Sequence, residues 1–121
     1  MERNWDLIRE VLVEVEALNP TRNEYISYGP LLKKVDSAKD VEAIRLWKAG
    51  FITGVDAGTS DGGDEVIAQE LTWAGLDLLD TIRSKAVWER VKTVAKQKGI
   101  ELTFDSVKAI GKLVLASLLE N

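Results

Sequence analysis

The chain has 121 residues and a net charge of −4, enough for about one domain with its own core. It contains neither cysteine nor histidine. That excludes disulfides, thiolate chemistry and the usual zinc and non-haem iron ligands, and it removes the commonest general acid–base residue. No apolar run approaches the ~20 residues needed to cross a membrane. The polar start Met1-Glu2-Arg3-Asn4-Trp5-Asp6 lacks a signal-peptide h-region, so a cytoplasmic protein is the expectation.

Charge is unevenly spread. Residues 1–20 carry five acids and two bases, and 21–50 carry six bases and four acids. Residues 51–72 carry five acids and no base, and 73–121 carry eight bases and six acids. A dedicated nucleic-acid binder usually shows a basic domain; here two mildly basic regions flank a sharply acidic one.

In chain order, Trp5, Ile8, Val11, Leu12, Val15 and Leu18 recur at three- and four-residue steps and predict a helix over 5–18. Asn19-Pro20 ends it. Glu24 to Ser27 reads as a short extended segment, and Pro30 suits the first turn of a short helix over 31–35. Ser37 with Asp40 makes an S-x-x-D start signal for a helix that runs to about Ala49 and stops at Gly50. Its apolar side is Val41, Ala43, Ile44, Leu46 and Trp47; Lys39, Asp40, Glu42, Arg45 and Lys48 are expected to face outward. Two strands, 51–56 and 65–71, flank a loop with three glycines, and so predict a hairpin. Thr72 caps a helix carrying Leu76, Leu79 and Ile82. Ser84 starts another, with Val87, Trp88, Val91, Val94 and Ala95 inward and Arg83, Lys85, Arg90, Lys92, Lys96 and Lys98 making it basic. A last helix runs from about Phe104 to Leu119.

This order predicts an α+β, mostly helical fold: a winged helix-turn-helix with a two-stranded wing and two extra C-terminal helices. Residues 1–83 form the winged-helix core. Residues 84–121 form a C-terminal helical extension, packed on that core or making a dimer interface within a single domain.

Certain residues also carry a resemblance. Trp5-Asp6-Leu7-Ile8-Arg9, Lys48-Ala49-Gly50-Phe51-Ile52, and Leu71-Thr72-Trp73-Ala74-Gly75 with Leu79-Asp80-Thr81-Ile82-Arg83 and Trp88 resemble an uncharacterised family of short phage and prophage proteins. That family is known as a domain of unknown function with an L-T-W-x-G…L-D-x-I-R…W signature. The resemblance implies a phage or mobile-element origin and no established activity. Leu76 stands where the family often has histidine, so any role of that histidine is absent here.

Three surfaces are candidates. The first is a DNA-reading face of Lys33, Lys34, Lys39, Arg45 and Lys48, with Arg45 suited to guanine and the lysines to phosphate; Asp40 and Glu42 beside them repel phosphate. The second is the acidic wing of Asp56, Asp61, Asp64 and Glu65, a docking surface for a basic partner whose spacing does not fit a calcium loop. The third is a homodimer interface of Val107, Ile110, Val114 and Leu118 on the last helix, with Gly111 and Ala116 permitting close approach.

No phosphate loop or nucleophile elbow is present, so no enzyme, cofactor, metal or small-molecule substrate is expected. Two functional readings follow. One is a DNA-binding transcriptional regulator, dimeric on double-stranded DNA. The other is a phage-encoded module that binds and inhibits a host defence complex through its acidic wing.

Overall fold

The computed structural model of the protein describes residues 3–29, 38–58 and 63–119. The predicted short helix at 31–35 and the Ser37 cap lie outside them. The chain is α+β and mostly helical, and it divides into two compact units, Met1–Leu76 and Asp77–Asn121. No helix among the described residues is long and apolar enough to cross a membrane.

The first unit begins with α1, Trp5–Glu16. Asn4 caps it, its side chain accepting from the Leu7 N–H at 3.2 Å, the ordinary way to satisfy a free first-turn donor. Trp5, Ile8, Val11, Leu12 and Val15 are buried, as their spacing predicts. The helix stops two residues before the expected Leu18. Beyond it Asn19 organises the turn: its Oδ1 accepts from the Thr21 N–H, and its own N–H donates to Glu24.

Strand β1, Ile26–Tyr28, follows, then α2, Ala38–Lys48, β2, Ile52–Asp56, and β3, Val66–Leu71. The sheet is antiparallel with order β1-β3-β2, so the hairpin partner β3 is central. Val66, Ala68 and Leu71 of β3 and Ile52 of β2 point into the core, where α1 and α2 pack. A bulge at Thr53/Gly54 shifts the β2–β3 register by one residue. That lets Leu71 share the inward face with Ala68 although three positions apart.

The junction of β3 with α3, Trp73–Ile82, explains the L-T-W-x-G element physically. Leu71 is buried. The Thr72 N–H donates to the Phe51 carbonyl at 3.1 Å, and its hydroxyl donates to the Gly50 carbonyl at 2.6 Å. The same hydroxyl accepts from the Gly75 N–H at 3.1 Å, so one threonine both caps α3 and ties it to the chain leaving α2. Gly75 is glycine because a Cβ there would overlap the Phe51 carbonyl oxygen.

Within the second unit α4, Lys85–Lys98, starts at Ser84, whose hydroxyl accepts from the Val87 N–H, and ends at Gly99 in the left-handed region. There the Ile100 N–H closes onto the Ala95 carbonyl at 2.9 Å. Helix α5, Phe104–Leu119, starts with a reciprocal pair: the Ser106 N–H donates to Thr103 Oγ1, and the Thr103 N–H to Ser106 Oγ. Helices α4 and α5 pack together, with Val87, Trp88, Val91 and Ala95 buried on one and Val107, Ile110 and Val114 on the other. Gly111 does allow a close helix approach, to Thr81 at the end of α3: a Cβ would overlap the Thr81 methyl.

Candidate functional site

The strongest sequence candidate, the outer face of α2, is largely enclosed. Asp40, Glu42, Ala43, Ile44 and Leu46 are all buried. At 100° per residue these positions sweep most of the helix circumference, leaving the strip Ala38, Val41, Arg45 and Lys48. Asp40 and Glu42, expected to face outward, are therefore corrected to interior residues. The physical reason is that both find partners inside. Glu42, 3% exposed, accepts from the Asn4 N–H at 2.6 Å and from Arg45 Nη1 at 2.7 Å. Asp40 also has an interaction partner, and no buried side-chain nitrogen or oxygen among the described residues is left unsatisfied.

Each described cation of this face is held by an acid of the same unit. Lys39 Nζ is clasped between Glu10, at 2.9 Å, and Glu14 of α1. Arg45 neutralises Glu42, and Lys48 Nζ reaches Asp64 Oδ2 in the hairpin loop at 2.8 Å. Lys33 and Lys34 lie outside the described residues. The structure thus brings Lys39, Arg45 and Lys48 onto one helix as predicted, but turns each toward an internal carboxylate.

Glu14 also accepts from the Tyr28 hydroxyl at 2.8 Å, so α1, β1 and α2 meet in one polar cluster. Burial, and then the hydrogen bond to Glu14, push the Tyr28 hydroxyl far above the usual tyrosine range; Glu10 and Glu14 raise Lys39. Both groups keep their protons in the fold when the unfolded chain has begun to lose them. Their stabilisation is therefore complete below the unfolded values, about 10 for Tyr and Lys, and is lost as pH climbs past them. We expect the urea midpoint to fall on going above pH about 10, and Tyr28→Phe to flatten that fall. A Tyr28→Phe protein with an unchanged alkaline slope would show that Tyr28 carries none of it.

The acidic wing is smaller than its sequence suggests. Asp56 is exposed, its carboxylate accepting from the Gly58 N–H, and Asp64 is exposed but paired with Lys48. Glu65, expected on the acidic surface, is corrected to a buried residue. Its carbonyl accepts from the Ala57 N–H, and Gly29 at the end of β1 lies against its Cα and Cβ so closely that no side chain would fit between. Asp61 lies outside the described residues.

The proposed dimer residues also need correction. Val107, Ile110 and Val114 are buried within the chain itself, because α5 turns them inward; of the four only Leu118 is exposed, alongside Leu113 and Leu119. Gly111 likewise serves a contact inside the chain rather than a second copy.

Tyr25, Val55 and Trp73 are among the exposed apolar residues that lie outside all three candidate surfaces. The sequence signal for Trp73 is that it stands outside the apolar set Leu76, Leu79 and Ile82 of its helix. Among the described residues no three of His, Cys, Asp or Glu are grouped to hold a metal.

Comparison with known proteins is silent on activity. The family described as "Hypothetical protein (DUF2513)" matches residues 2–101. An uncharacterized protein of Haemophilus influenzae is 35% identical over 124 residues, covering 98% of this chain and 99% of the relative. No solved structure matches the chain. Both matches span most of the molecule, and the chain belongs to the family described as Hypothetical protein (DUF2513).

Proposed function

We propose that the protein is a non-enzymatic, winged-helix-type binding module that recognises a protein partner rather than reading DNA through α2. The carrying observation is that Lys39, Arg45 and Lys48 are each engaged by carboxylates of the fold. A phosphate contact by any of them competes with an acid that already neutralises its charge, so little net counterion release remains to drive duplex binding. The wider field points the same way: residues 1–76 hold fourteen acids against eight bases, a net of −6, which repels a polyanion and steers a basic protein surface inward.

The winged-helix assignment rests on the order of α1, β1, α2, β2, β3 and α3 and on the central position of β3. The same order favours the second reading, a DNA-binding regulator, since in such folds the helix before the hairpin commonly enters the major groove. The phage or prophage origin implied by the resemblance would make the partner a host protein in the bacterial cytoplasm, and inhibition of a host defence complex is one form that binding can take.

Fluorescence anisotropy with labelled mixed-sequence duplex DNA separates the two. The protein-binding reading expects no saturable binding at moderate salt and no effect of Lys48→Glu. Tight binding that falls steeply with salt and is abolished by Lys48→Glu would establish the DNA reading instead.

A further inference from the structure

The protein-binding reading leaves open where the partner sits, and the hairpin supplies the place. In the order β1-β3-β2, strand β2 is an edge, so among the described residues its outer peptide groups have no strand partner. Natural edges are usually shielded by lysine, proline or a covering element. Strand β2, Ile-Thr-Gly-Val-Asp, has neither lysine nor proline, and the extra residue of the bulge opposite Thr53/Gly54, Gln69, belongs to β3.

The register defines what lies beside this edge. Val55 is directly opposite Ile67, which on its other side is opposite Ser27. Directly opposed residues share a sheet face, and here it is the face away from the core residues Val66 and Ala68. Val55 is 50% exposed and Ile67 half-buried, so a short apolar strip crosses the outer face. Tyr25, 62% exposed, immediately precedes β1, across the sheet from this edge. Trp73, 84% exposed, follows two residues after the last ladder pair, Ile52–Leu71. A solvent-facing tryptophan and tyrosine are the residue types that most often anchor protein interfaces.

Charge selects the occupant. Residues 49–76 contain five acids and no base. Asp56, adjacent to Val55, and Glu70, the register partner of Thr53, are both exposed, and Lys48, the nearest base before this stretch, is already paired with Asp64. We propose that the open edge of β2 accepts an extended, basic segment of a partner protein as an added strand. Main-chain hydrogen bonds to β2 supply its register, its apolar side chains cover Val55 and Ile67, and a lysine or arginine on its other face meets Asp56, register partner of Val66, while Glu70 on the Val55 face adds to the acidic field.

This inference rests on the protein-binding reading, and the test keeps the two apart. The probe is an alternating Lys-Val octapeptide, titrated by calorimetry into the full chain. Its controls are a block peptide of the same composition and the alternating peptide with every second backbone nitrogen methylated. Strand addition predicts binding of the alternating peptide, at least about tenfold weaker binding of the block and methylated peptides, and roughly tenfold loss with Asp56→Lys plus Glu70→Lys, about 1.4 kcal/mol. That variant changes two exposed side chains, and its thermal midpoint reports that it remains folded. Failure of the alternating peptide to bind, or equal binding of the methylated peptide, overturns strand addition. The protein-binding reading then stands or falls on the DNA titration alone.

Discussion

Gly75→Ala should destabilise the protein by about 2 kcal/mol, although alanine is the better helix former. In an open helix position the substitution gains about 1 kcal/mol. Here the new methyl would overlap the Phe51 carbonyl oxygen and come within 3.3 Å of Leu71 Cβ. The carbonyl cannot simply move aside, because it accepts the Thr72 N–H at 3.1 Å, and that residue also caps α3. Overpacking of this kind costs about 1–3 kcal/mol, sometimes more, and backbone relief would loosen the Thr72 cap as well, worth a further ~1 kcal/mol. Urea denaturation is the check, with the exposed neighbour Ala74→Gly as control, expected to lose only the propensity term of about 1 kcal/mol. A Gly75→Ala protein as stable as the parent would mean that the helix start is not pressed against Phe51.

Arg45→Ala comes next. It leaves Glu42, 3% exposed, without its cation, while the Asn4 N–H remains as a donor. Removing one partner of a fully buried pair costs about 3–5 kcal/mol. Arg45 is 37% exposed, so water can partly replace it, and about 2 kcal/mol is expected. Lys48→Ala breaks a pair in which both partners are more than half exposed and should cost under about 0.5 kcal/mol. The contrast bears on function as well as stability. Loss of DNA binding in an Arg45 variant would be ambiguous, since the fold itself is weakened, whereas a Lys48 variant tests the surface alone. Equal effects of the two substitutions would refute the brace assigned to Arg45.

Much of the architecture was legible because it rests on local rules. Trp5 to Val15 repeat at helical steps, Thr72 and Ser84 sit at true caps, Gly50 and Gly99 close helices with positive φ, and the glycine-rich loop does join two antiparallel strands. What failed was the assumption that charge means solvent. Asp40 and Glu42 lie on a helix packed on several sides, against α1 and all three strands, and amphipathic patterning presumes one buried stripe. Part of the brace was visible: Glu42 and Arg45 stand three apart on one helix, and Glu10 and Glu14 four apart make a two-carboxylate clamp. Their distant partners, Asn4 to Glu42, Lys39 to Glu14 and Lys48 to Asp64, depend on tertiary geometry that no spacing encodes. Val107, Ile110 and Val114 were misassigned for a related reason. A wide apolar band on α5 shows that a face must be covered, but not whether the same chain covers it.

The most direct test is capture of the tagged protein from a lysate of cells that carry the gene, with and without nuclease, using the parent, Lys48→Glu, and Asp56→Lys with Glu70→Lys. A protein partner that survives nuclease, persists with Lys48→Glu and is lost from the hairpin variant is the expected result. Recovery of DNA that disappears with nuclease and with Lys48→Glu, but persists in the hairpin variant, would contradict it.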